Sequence, residues 1–331
     1  MKIWWQALSV LARLALLLLA FFPLGRMLFQ NWPAVLGAFR QMDWWRFAAS
    51  LFALLLVLPW MSSISWVCVR SLGTPMPVKR VFSLYFITQL PKYLPGGIWA
   101  FPGRMAAYRV AGMPDAYAVL SVLREVAALF LGAVLVGGMA LLWQPALDAA
   151  LQIALAAAVA ACLGAIGLAH WPAFWRLLQR SPLASSRIFA RLLQGDIAVL
   201  TSLRWLPGSL ACSLLFWLAM GLPFAQLVAA MSLGSAGPGW LQAAALFALS
   251  WSAGFAIVLV PAGFGVRESA LSLLLLPFLP AGAAASVALL SRLWWMAIEA
   301  VLIGVSIGLA GDPRAWLGQA QAGASVDAGV D

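Results

Sequence analysis

Several charged side chains of this sequence lie inside long apolar stretches, where they could bind a charged ligand. Arginine can hold a phosphate through two parallel hydrogen bonds, and glycine-rich turns present backbone N–H groups that also bind anions. We therefore predict a site for a phosphate-bearing ligand, with no catalytic residue. Its binding residues are Lys92, Gly96, Gly97, Arg104, Glu125, Gly263, Gly265, Arg267, Glu268, Arg292 and Glu299.

The spacing of these charges leaves two interpretations open. Arg292 and Glu299 are seven residues apart, about 10.5 Å along a helix, so they share a face but are too distant for a direct ion pair. They could flank a ligand or pair with other elements. In the second interpretation the charges form structural ion pairs, with the Arg-Glu pair at 124–125 contacting the Arg-Glu pair at 267–268.

The sequence offers little that could support catalysis or metal binding. His170 is the only histidine, and Cys68, Cys162 and Cys212 are far apart in apolar segments, so neither a paired-histidine site nor a cysteine cluster is expected. No Gly-x-Ser-x-Gly, nucleotide-binding loop or His-Glu-x-x-His motif occurs. We predict a protein that is not an enzyme and that binds no cofactor or metal.

The composition places these residues in a membrane protein. Of 331 residues, 64% are hydrophobic and only 9% are charged, whereas soluble domains carry roughly 25% charged residues. So few charges cannot cover a soluble globule of this length, which excludes a cytosolic enzyme, a secreted domain and a nucleic-acid-binding module. The net charge of +10 is typical of a membrane protein, in which basic loops set the orientation in the bilayer and contact anionic lipid headgroups.

Hydrophobic runs of about 20 residues predict an all-α polytopic membrane protein. The first span follows Lys2 and ends before Arg26. We expect one transmembrane domain over residues 1–311 and a disordered tail over residues 312–331, which is rich in Ala, Gly, Ser and Asp. The other spans are predicted near 44–69, 116–142, 147–170, 205–231 and 283–310, with tryptophans at many of their ends.

Two regions cannot form continuous spanning helices. In 81–110, Pro91, Pro95 and neighbouring glycines would break a helix, and in 240–280 the segment Pro261-Ala-Gly-Phe-Gly does the same. Non-helical backbone at membrane depth survives only where protein or a wet cavity surrounds it. We interpret both regions as re-entrant broken-helix hairpins, with the Pro/Gly clusters at their tips.

The distribution of lysine and arginine orients the chain. With six full crossings, two re-entrant hairpins and cytoplasmic N- and C-termini, most basic loop residues are cytoplasmic, and only Arg26, Arg40 and Arg46 face outward. The span–hairpin–span segments 44–142 and 205–310 then form inverted copies. Inverted repeats that meet at broken helices are typical of transporters.

Four motifs occur in the order and spacing of a known family. Lys92-Tyr-Leu-Pro-Gly-Gly-Ile-Trp99 followed by Gly103-Arg104 is similar to a Lys-Tyr-Leu/Ile-Pro-Gly-x-x-Trp…Gly-Arg signature. Ser121-Val-Leu-Arg-Glu125, Pro261-Ala-Gly-Phe-Gly-Val-Arg-Glu-Ser-Ala-Leu271 and Arg292 match three later positions. From about Trp4 to Ala310 the chain resembles the flippase-like family, which comprises the transmembrane region of lysylphosphatidylglycerol synthases and its stand-alone relatives.

The resemblance implies translocation of a lipid or a lipid-linked group between leaflets. Ala262, Phe264 and Ser269 depart from it, since they replace a glycine, a leucine and a glycine of the family segment. Without the soluble aminoacyltransferase domain of full-length synthases, no aminoacylation of lipid is expected. Stand-alone relatives are associated with phospholipids, hopanoids and polyprenyl-linked sugars, which leaves the substrate open.

Three functional hypotheses follow from these observations. The first is flipping of an anionic phospholipid, or of a polyprenyl- or hopanoid-type lipid, in the bacterial inner membrane, by the chain alone, a homo-oligomer or a complex with a partner synthase. The second is a membrane-embedded enzyme acting on a lipid-linked substrate, with Glu125 or Glu268 as base. The third is a non-transporting partner subunit of a lipid or glycan synthesis system, docked through the basic loop 171–204.

Overall fold

The computed structural model describes residues 29, 32–74, 76–93, 99–142, 149–182, 197–231, 237–256 and 265–310. All regular elements in these ranges are helical, which confirms the predicted all-α class. Short 3-10 turns at Leu58–Trp60 and Leu90–Tyr93 accompany the α-helices. The α-helices are α1 Trp32–Arg40, α2 Trp44–Val57, α3 Met61–Arg70, α4 Val78–Ile87, α5 Ala100–Val110, α6 Asp115–Leu142, α7 Ala149–Ala169, α8 Pro172–Arg180, α9 Ile197–Leu200, α10 Leu206–Met231, α11 Trp240–Ala256, α12 Val266–Leu275 and α13 Ala281–Ala310.

Four helical stretches in the described ranges are long and apolar enough to cross a membrane. They are Trp44–Arg70, Asp115–Gly138, Leu206–Met231 and Ala281–Ala310. These stretches coincide with four of the predicted spans, so the chain is a multi-pass membrane protein. Helix α7 occupies the region predicted at 147–170, whereas the predicted first span and the tail at 312–331 lie outside the described residues. The total of six crossings therefore stays a prediction.

The span Trp44–Arg70 begins and bends for identifiable local reasons. The carboxylate of Asp43 caps α2, since its Oδ1 accepts hydrogen bonds from the backbone N–H of Trp45 at 3.0 Å and of Arg46 at 3.1 Å. Pro59 has no backbone N–H, and the helix tightens there into the 3-10 turn between α2 and α3. Trp45 is 87% exposed at the first end, as expected of a side chain at a membrane–water interface.

The described helices of the two predicted hairpins are shorter than the spans. Helices α4, α5 and α12 have 10, 11 and 10 residues, or about 15–17 Å, which is half of a hydrocarbon core of roughly 30 Å. Helix α11 is longer, with 17 residues. The connections 94–98 and 257–264 carry the predicted tips and lie outside the described residues, so the re-entrant turns themselves stay predictions.

Helix packing repeats in two halves of the chain, α2–α6 and α10–α13. In each half, the first short helix packs on the preceding span, α4 on α3 and α11 on α10. The second short helix packs on the following span, α5 on α6 and α12 on α13. The first short helix of each half also packs on the last span of the other half, α4 on α13 and α11 on α6. Equivalent contacts therefore interlock the two halves.

The main core lies where α10, α11 and α13 meet. Trp217, Phe247 and Trp294 are at most 1% exposed there, and they come from these three helices. A close approach between α10 and α11 depends on Gly221, where an added Cβ would lie 2.4 Å from the carbonyl oxygen of Trp240. Small residues at such crossings let helices approach closely in a membrane, where dispersion contacts hold them together. The core thus fixes the spans against which both pairs of short helices pack.

Candidate functional site

The buried charged side chains of the described ranges lie on the short helices α5 and α12 and on the spans α6 and α13. A charge at the bilayer centre costs roughly 2.5–3.5 kcal/mol on insertion scales, so each of these side chains is expected to have a partner or a ligand. Their distribution defines two clusters and one separate arginine. The side chains are Arg104, Arg124, Glu125, Arg267, Glu268, Arg292 and Glu299, each at most 7% exposed.

A first junction joins α5 to α6 through Arg104 and Glu125. The two side chains form an ion pair in which each is only 2% exposed. The Nε of Arg104 donates to Thr88 Oγ1 at 3.1 Å, and Glu125 Oε2 accepts from Ser65 Oγ at 2.6 Å. The hydroxyl groups of Ser65 and Tyr108 are also hydrogen bonded to each other at 2.6 Å. We call these residues, together with Tyr85, the first junction.

Neutral groups complete the first junction. The guanidinium of Arg104 lies over the ring of Tyr85, 3.9 Å from its centroid, as in a cation–π contact. One basic and one acidic side chain balance each other, the Ser65 hydroxyl donates to the carboxylate, and the Thr88 hydroxyl accepts from the guanidinium. Residues from α3, α4, α5 and α6 take part, so this junction connects the first broken helix pair to both neighbouring spans.

A second junction joins α12 to α13 through Glu268 and Arg292. Glu268 Oε1 lies 3.8 Å from Arg292 Nε, which is an ion pair but too long for a hydrogen bond. Glu268 Oε2 accepts from the backbone N–H of Gly265 at 2.7 Å. Gly265 has a φ of +81°, a conformation that favours glycine, and it directly precedes α12. The carboxylate of Glu268 thus binds the N–H of Gly265, a group that the sequence predicted to bind a lipid phosphate.

Further charges surround the second junction. Lys92, in the 3-10 turn after α4, forms an ion pair with Glu299 of α13. The guanidinium of Arg267 lies over two neighbouring aromatic rings, 4.6 Å from the centroid of Phe247 and 5.1 Å from that of Trp295. Lys92 is close enough to Arg267 and Arg292 for their charges to repel it. We call Lys92, Gly265, Arg267, Glu268, Arg292 and Glu299 the second junction.

The second junction has a different charge balance and exposure from the first. Its three basic and two acidic side chains leave an excess of positive charge when all are ionised. The side chain of Lys92 is 19% exposed, whereas that of its partner Glu299 is 3% exposed. Close packing holds Arg267 in place, because a Cβ on Gly254 of α11 would lie 2.9 Å from the Cβ of Arg267. The arrangement can therefore attract an anion on the side where Lys92 is accessible.

The structure brings the described site residues together in two groups. Arg292 pairs with Glu268, and Glu299 pairs with Lys92, which agrees with the expectation that these two residues of α13 could pair with other elements. Helix α4, which carries Tyr85, packs on α13, which carries Glu299, so the two junctions lie on neighbouring helices. The predicted site glycines Gly96, Gly97 and Gly263 lie outside the described residues.

The pairing of 124–125 with 267–268, given as part of the second interpretation, is wrong for the described residues. Glu125 pairs with Arg104, and Glu268 pairs with Arg292. Arg124 instead donates to Ser71 Oγ and to the carbonyl oxygens of Val199 and Ser202. The error has a physical cause, because the two members of each Arg-Glu dipeptide are adjacent on a helix and point in different directions.

Sequence reasoning did not include the neutral members of the first junction. Ser65, Thr88 and Tyr108 lie in apolar or broken segments, and their hydroxyl groups contact buried charges only in the folded chain. A signal was present, since hydroxyl side chains in a membrane helix often hydrogen bond to a neighbouring helix. In the described part of the chain, no group of three His, Cys, Asp or Glu side chains could hold a metal ion.

The sequence is similar to a known family along most of its length. The family model described as the lysylphosphatidylglycerol synthase TM region matches residues 7–301 of the 331-residue chain. That range contains both junctions and the greater part of all four helical stretches that could span a membrane. No curated protein matches the chain.

Proposed function

The chain belongs to the lysylphosphatidylglycerol synthase TM-region family, and we propose that it moves the headgroup of an anionic lipid between the leaflets of a bacterial inner membrane. The family and the four apolar helices support a membrane-embedded function related to lipids. The observation that carries the finer proposal is the second junction, where basic side chains from α12, α13 and the turn after α4 exceed the acidic ones within the apolar body.

In the proposed mechanism, the phosphate exchanges with carboxylates of the second junction. Arg292 contacts Glu268 at 3.8 Å, so its guanidinium can turn to a phosphate without losing a short hydrogen bond to that carboxylate. Arg267 presents a second guanidinium that two aromatic rings hold in place. Lys92, the most accessible of the basic groups, meets the headgroup first and releases Glu299 as it does so. The lipid tails stay in the bilayer throughout.

We assign a structural role to the first junction in this mechanism. Arg104 and Glu125 are almost fully buried and neutralise each other, which leaves no excess charge for a phosphate. Their contacts hold α5 against α6 while the second junction opens. The proposal thus narrows the lipid-contacting residues from the set that sequence suggested to Lys92, Arg267 and Arg292, with Glu268 and Glu299 as their resting partners.

The repeated helix packing supports a topology with inverted halves. Each first short helix contacts the last span of the other half, so both broken pairs meet the shared centre of the molecule. In our proposal one pair enters from the cytoplasm and the other from the opposite side, with both chain termini cytoplasmic. A headgroup at the second junction would then lie between two halves that can open alternately.

A leaflet-accessibility assay in reconstituted vesicles tests the proposal. The full chain is incorporated with a fluorescent phosphatidylglycerol, and a membrane-impermeant quencher reports the fraction in the outer leaflet over time. We expect Arg292→Gln to slow exchange roughly ten-fold or more, the value of a hydrogen bond to a charged group. Arg40→Gln, which removes an exposed arginine at the end of α1, is the matched control and should exchange lipid at the wild-type rate.

Each alternative outcome has a distinct meaning. A correctly folded Arg292→Gln protein that exchanges lipid at the wild-type rate would overturn the proposal. Conversion of the labelled lipid into a new product by the purified protein would instead favour the enzyme hypothesis. Folding is checked by size-exclusion chromatography and by the thermal unfolding midpoint in detergent.

A further inference from the structure

A second feature of the molecule suits a lipid and lies apart from both junctions. A groove of about 510 Å³ runs between α6 and α7 and is bordered by Trp205 and by the end of α11. Its volume falls within the range of roughly 300–1,000 Å³ that is typical of small-molecule pockets. Apart from Arg124 and His170, its described lining is apolar, and Phe130, Ile166 and Phe255 are representative members.

Arg124 lines this groove as a buried cation without a carboxylate partner among the described residues. It is 3% exposed, and its donors reach only neutral acceptors: Ser71 Oγ at 3.2 Å, Val199 O at 2.6 Å and Ser202 O at 3.3 Å. Its Nε has no hydrogen-bond partner in the described part of the chain. A buried guanidinium with one N–H unused and no counter-ion is costly, and an anion close to the guanidinium in the groove would offset part of that cost.

His170 and Trp205 lie beside Arg124 at the same end of the groove. The ring of His170 stacks on Trp205 with centroids 6.4 Å apart, and the Arg124 guanidinium lies 5.6 Å from the Trp205 ring centroid. His170 Nδ1 faces the carbonyl oxygen of Ile166, whereas Nε2 is buried and has no partner in the described ranges. The described part of the protein therefore leaves one ring nitrogen of His170 unused, and this nitrogen can meet a lipid headgroup when the ring turns toward the groove.

We propose that the groove holds one acyl chain of an anionic phospholipid, with the lipid phosphate beside the guanidinium of Arg124 and the imidazole of His170. The polar groups are collected at one end, and Leu131 lies seven residues further along α6, about 10 Å away, in an apolar part of the groove. No acidic side chain occurs among the described residues that line it, so an anionic headgroup meets no repulsion there.

This site does not depend on the proposed translocation. Arg124 and Glu125 are adjacent in sequence, but Glu125 belongs to the first junction, and none of the described groove residues belongs to either junction. The groove would bind a lipid even in a chain that moves none. Lipid binding in the groove and lipid exchange between leaflets can therefore be tested separately, and one proposal can be contradicted while the other is supported.

Photo-crosslinking in vesicles tests the lipid assignment. The full chain is reconstituted with phosphatidylglycerol that carries a diazirine near the carboxyl end of one acyl chain, or with phosphatidylcholine that carries the same chains. After irradiation, the labelled peptides are mapped. We expect label around Phe130 and Ile166, with a preference for phosphatidylglycerol that falls roughly ten-fold in Arg124→Gln, the value of a charge-assisted hydrogen bond.

Two tryptophan substitutions on α7 keep the test decisive if Arg124→Gln does not fold. Ala165→Trp should fill the groove and abolish its labelling by both lipids. Leu163→Trp is the matched control, because Leu163 is 54% exposed on the same helix and does not line the groove, and it should leave labelling unchanged. Arg292→Gln should also leave groove labelling unchanged, whatever it does to lipid exchange.

Three results would overturn the proposal. They are equal labelling of the groove by the two lipids in the wild-type protein, groove labelling that persists in Ala165→Trp, and a lipid preference that disappears when inorganic phosphate is added at constant ionic strength. The last result would indicate a site for a free anion rather than for a membrane lipid.

Discussion

The two junctions occupy equivalent places in the two halves of the molecule but carry opposite polarity. In the first, the short helix α5 supplies the base, Arg104, and the span α6 supplies the acid, Glu125. In the second, the short helix α12 supplies the acid, Glu268, and the span α13 supplies the base, Arg292. Both link the second short helix of a half to the span that follows it.

The surroundings of these equivalent pairs differ. In the first junction, one base and one acid form a buried pair without net charge, and hydroxyl groups and a tyrosine ring surround it. The second junction adds Lys92, Arg267 and Glu299, and the separation between its central pair is 3.8 Å. The same arrangement of packed helices can thus contain either a structural ion pair or a site with an excess of positive charge. The neighbouring side chains decide which of the two it holds.

The largest expected effect on stability comes from replacing the acid of the first junction, and the same replacement in the second junction provides the comparison. Glu125→Gln leaves Arg104 charged and buried without a counter-ion, which should lower the free energy of unfolding by about 3–5 kcal/mol. Glu268→Gln should lower it by less, about 1–2 kcal/mol, because Gln can still accept from Gly265 and the pair with Arg292 is long. Denaturant unfolding in detergent micelles measures both values.

The double variant Arg104→Met with Glu125→Leu sharpens this comparison. Removing both charges of the first junction should restore much of the stability that Glu125→Gln loses, because no uncompensated charge remains. If Glu125→Gln is as stable as Glu268→Gln, the first junction does not have the structural role that we assign to it.

An intermediate effect is expected at the start of α12. Gly265→Ala places a Cβ at a φ of +81°, and such strain costs roughly 1–3 kcal/mol. It also shifts the N–H that Glu268 Oε2 accepts from. We expect slower lipid exchange together with a lower unfolding midpoint. Gly37→Ala on α1 is the control, since a Cβ there would contact nothing within 4 Å; equal effects of the two substitutions would contradict the prediction.

The smallest effect is expected for Ser65→Ala in the first junction. Glu125 Oε2 loses one donor, and Tyr108 loses one hydrogen-bond partner, while the ion pair with Arg104 remains. The free energy of unfolding should fall by about 1–2 kcal/mol with an unchanged rate of lipid exchange. Ser63→Ala is the control, because Ser63 is a more exposed serine of the same helix whose hydroxyl donates to the carbonyl oxygen of Trp60, and it should change neither quantity. A slower exchange in Ser65→Ala would mean that the first junction acts directly on the lipid.

The helical class and four spans were predictable because a membrane-spanning helix requires about 20 consecutive apolar residues, and such runs are local features of the chain. The short helices at both broken regions were also predictable from local sequence, since proline and glycine interrupt a helix at their own positions. The buried charges could also be identified one by one. Their pairing could not, because Lys92 and Glu299 are 207 residues apart and meet only through the packing of α4 on α13.

The sequence by itself determined which residues lie in the membrane and which of them carry charge there, since both properties depend on local composition. Only the tertiary structure decided that Arg124 lines a lipid-sized groove while Glu125, its neighbour, belongs to the first junction. Adjacent positions on a helix point about 100° apart, so they face different neighbours. The identity of those neighbours depends on the packing of helices that are far apart in sequence, and this packing cannot be deduced from a local sequence pattern.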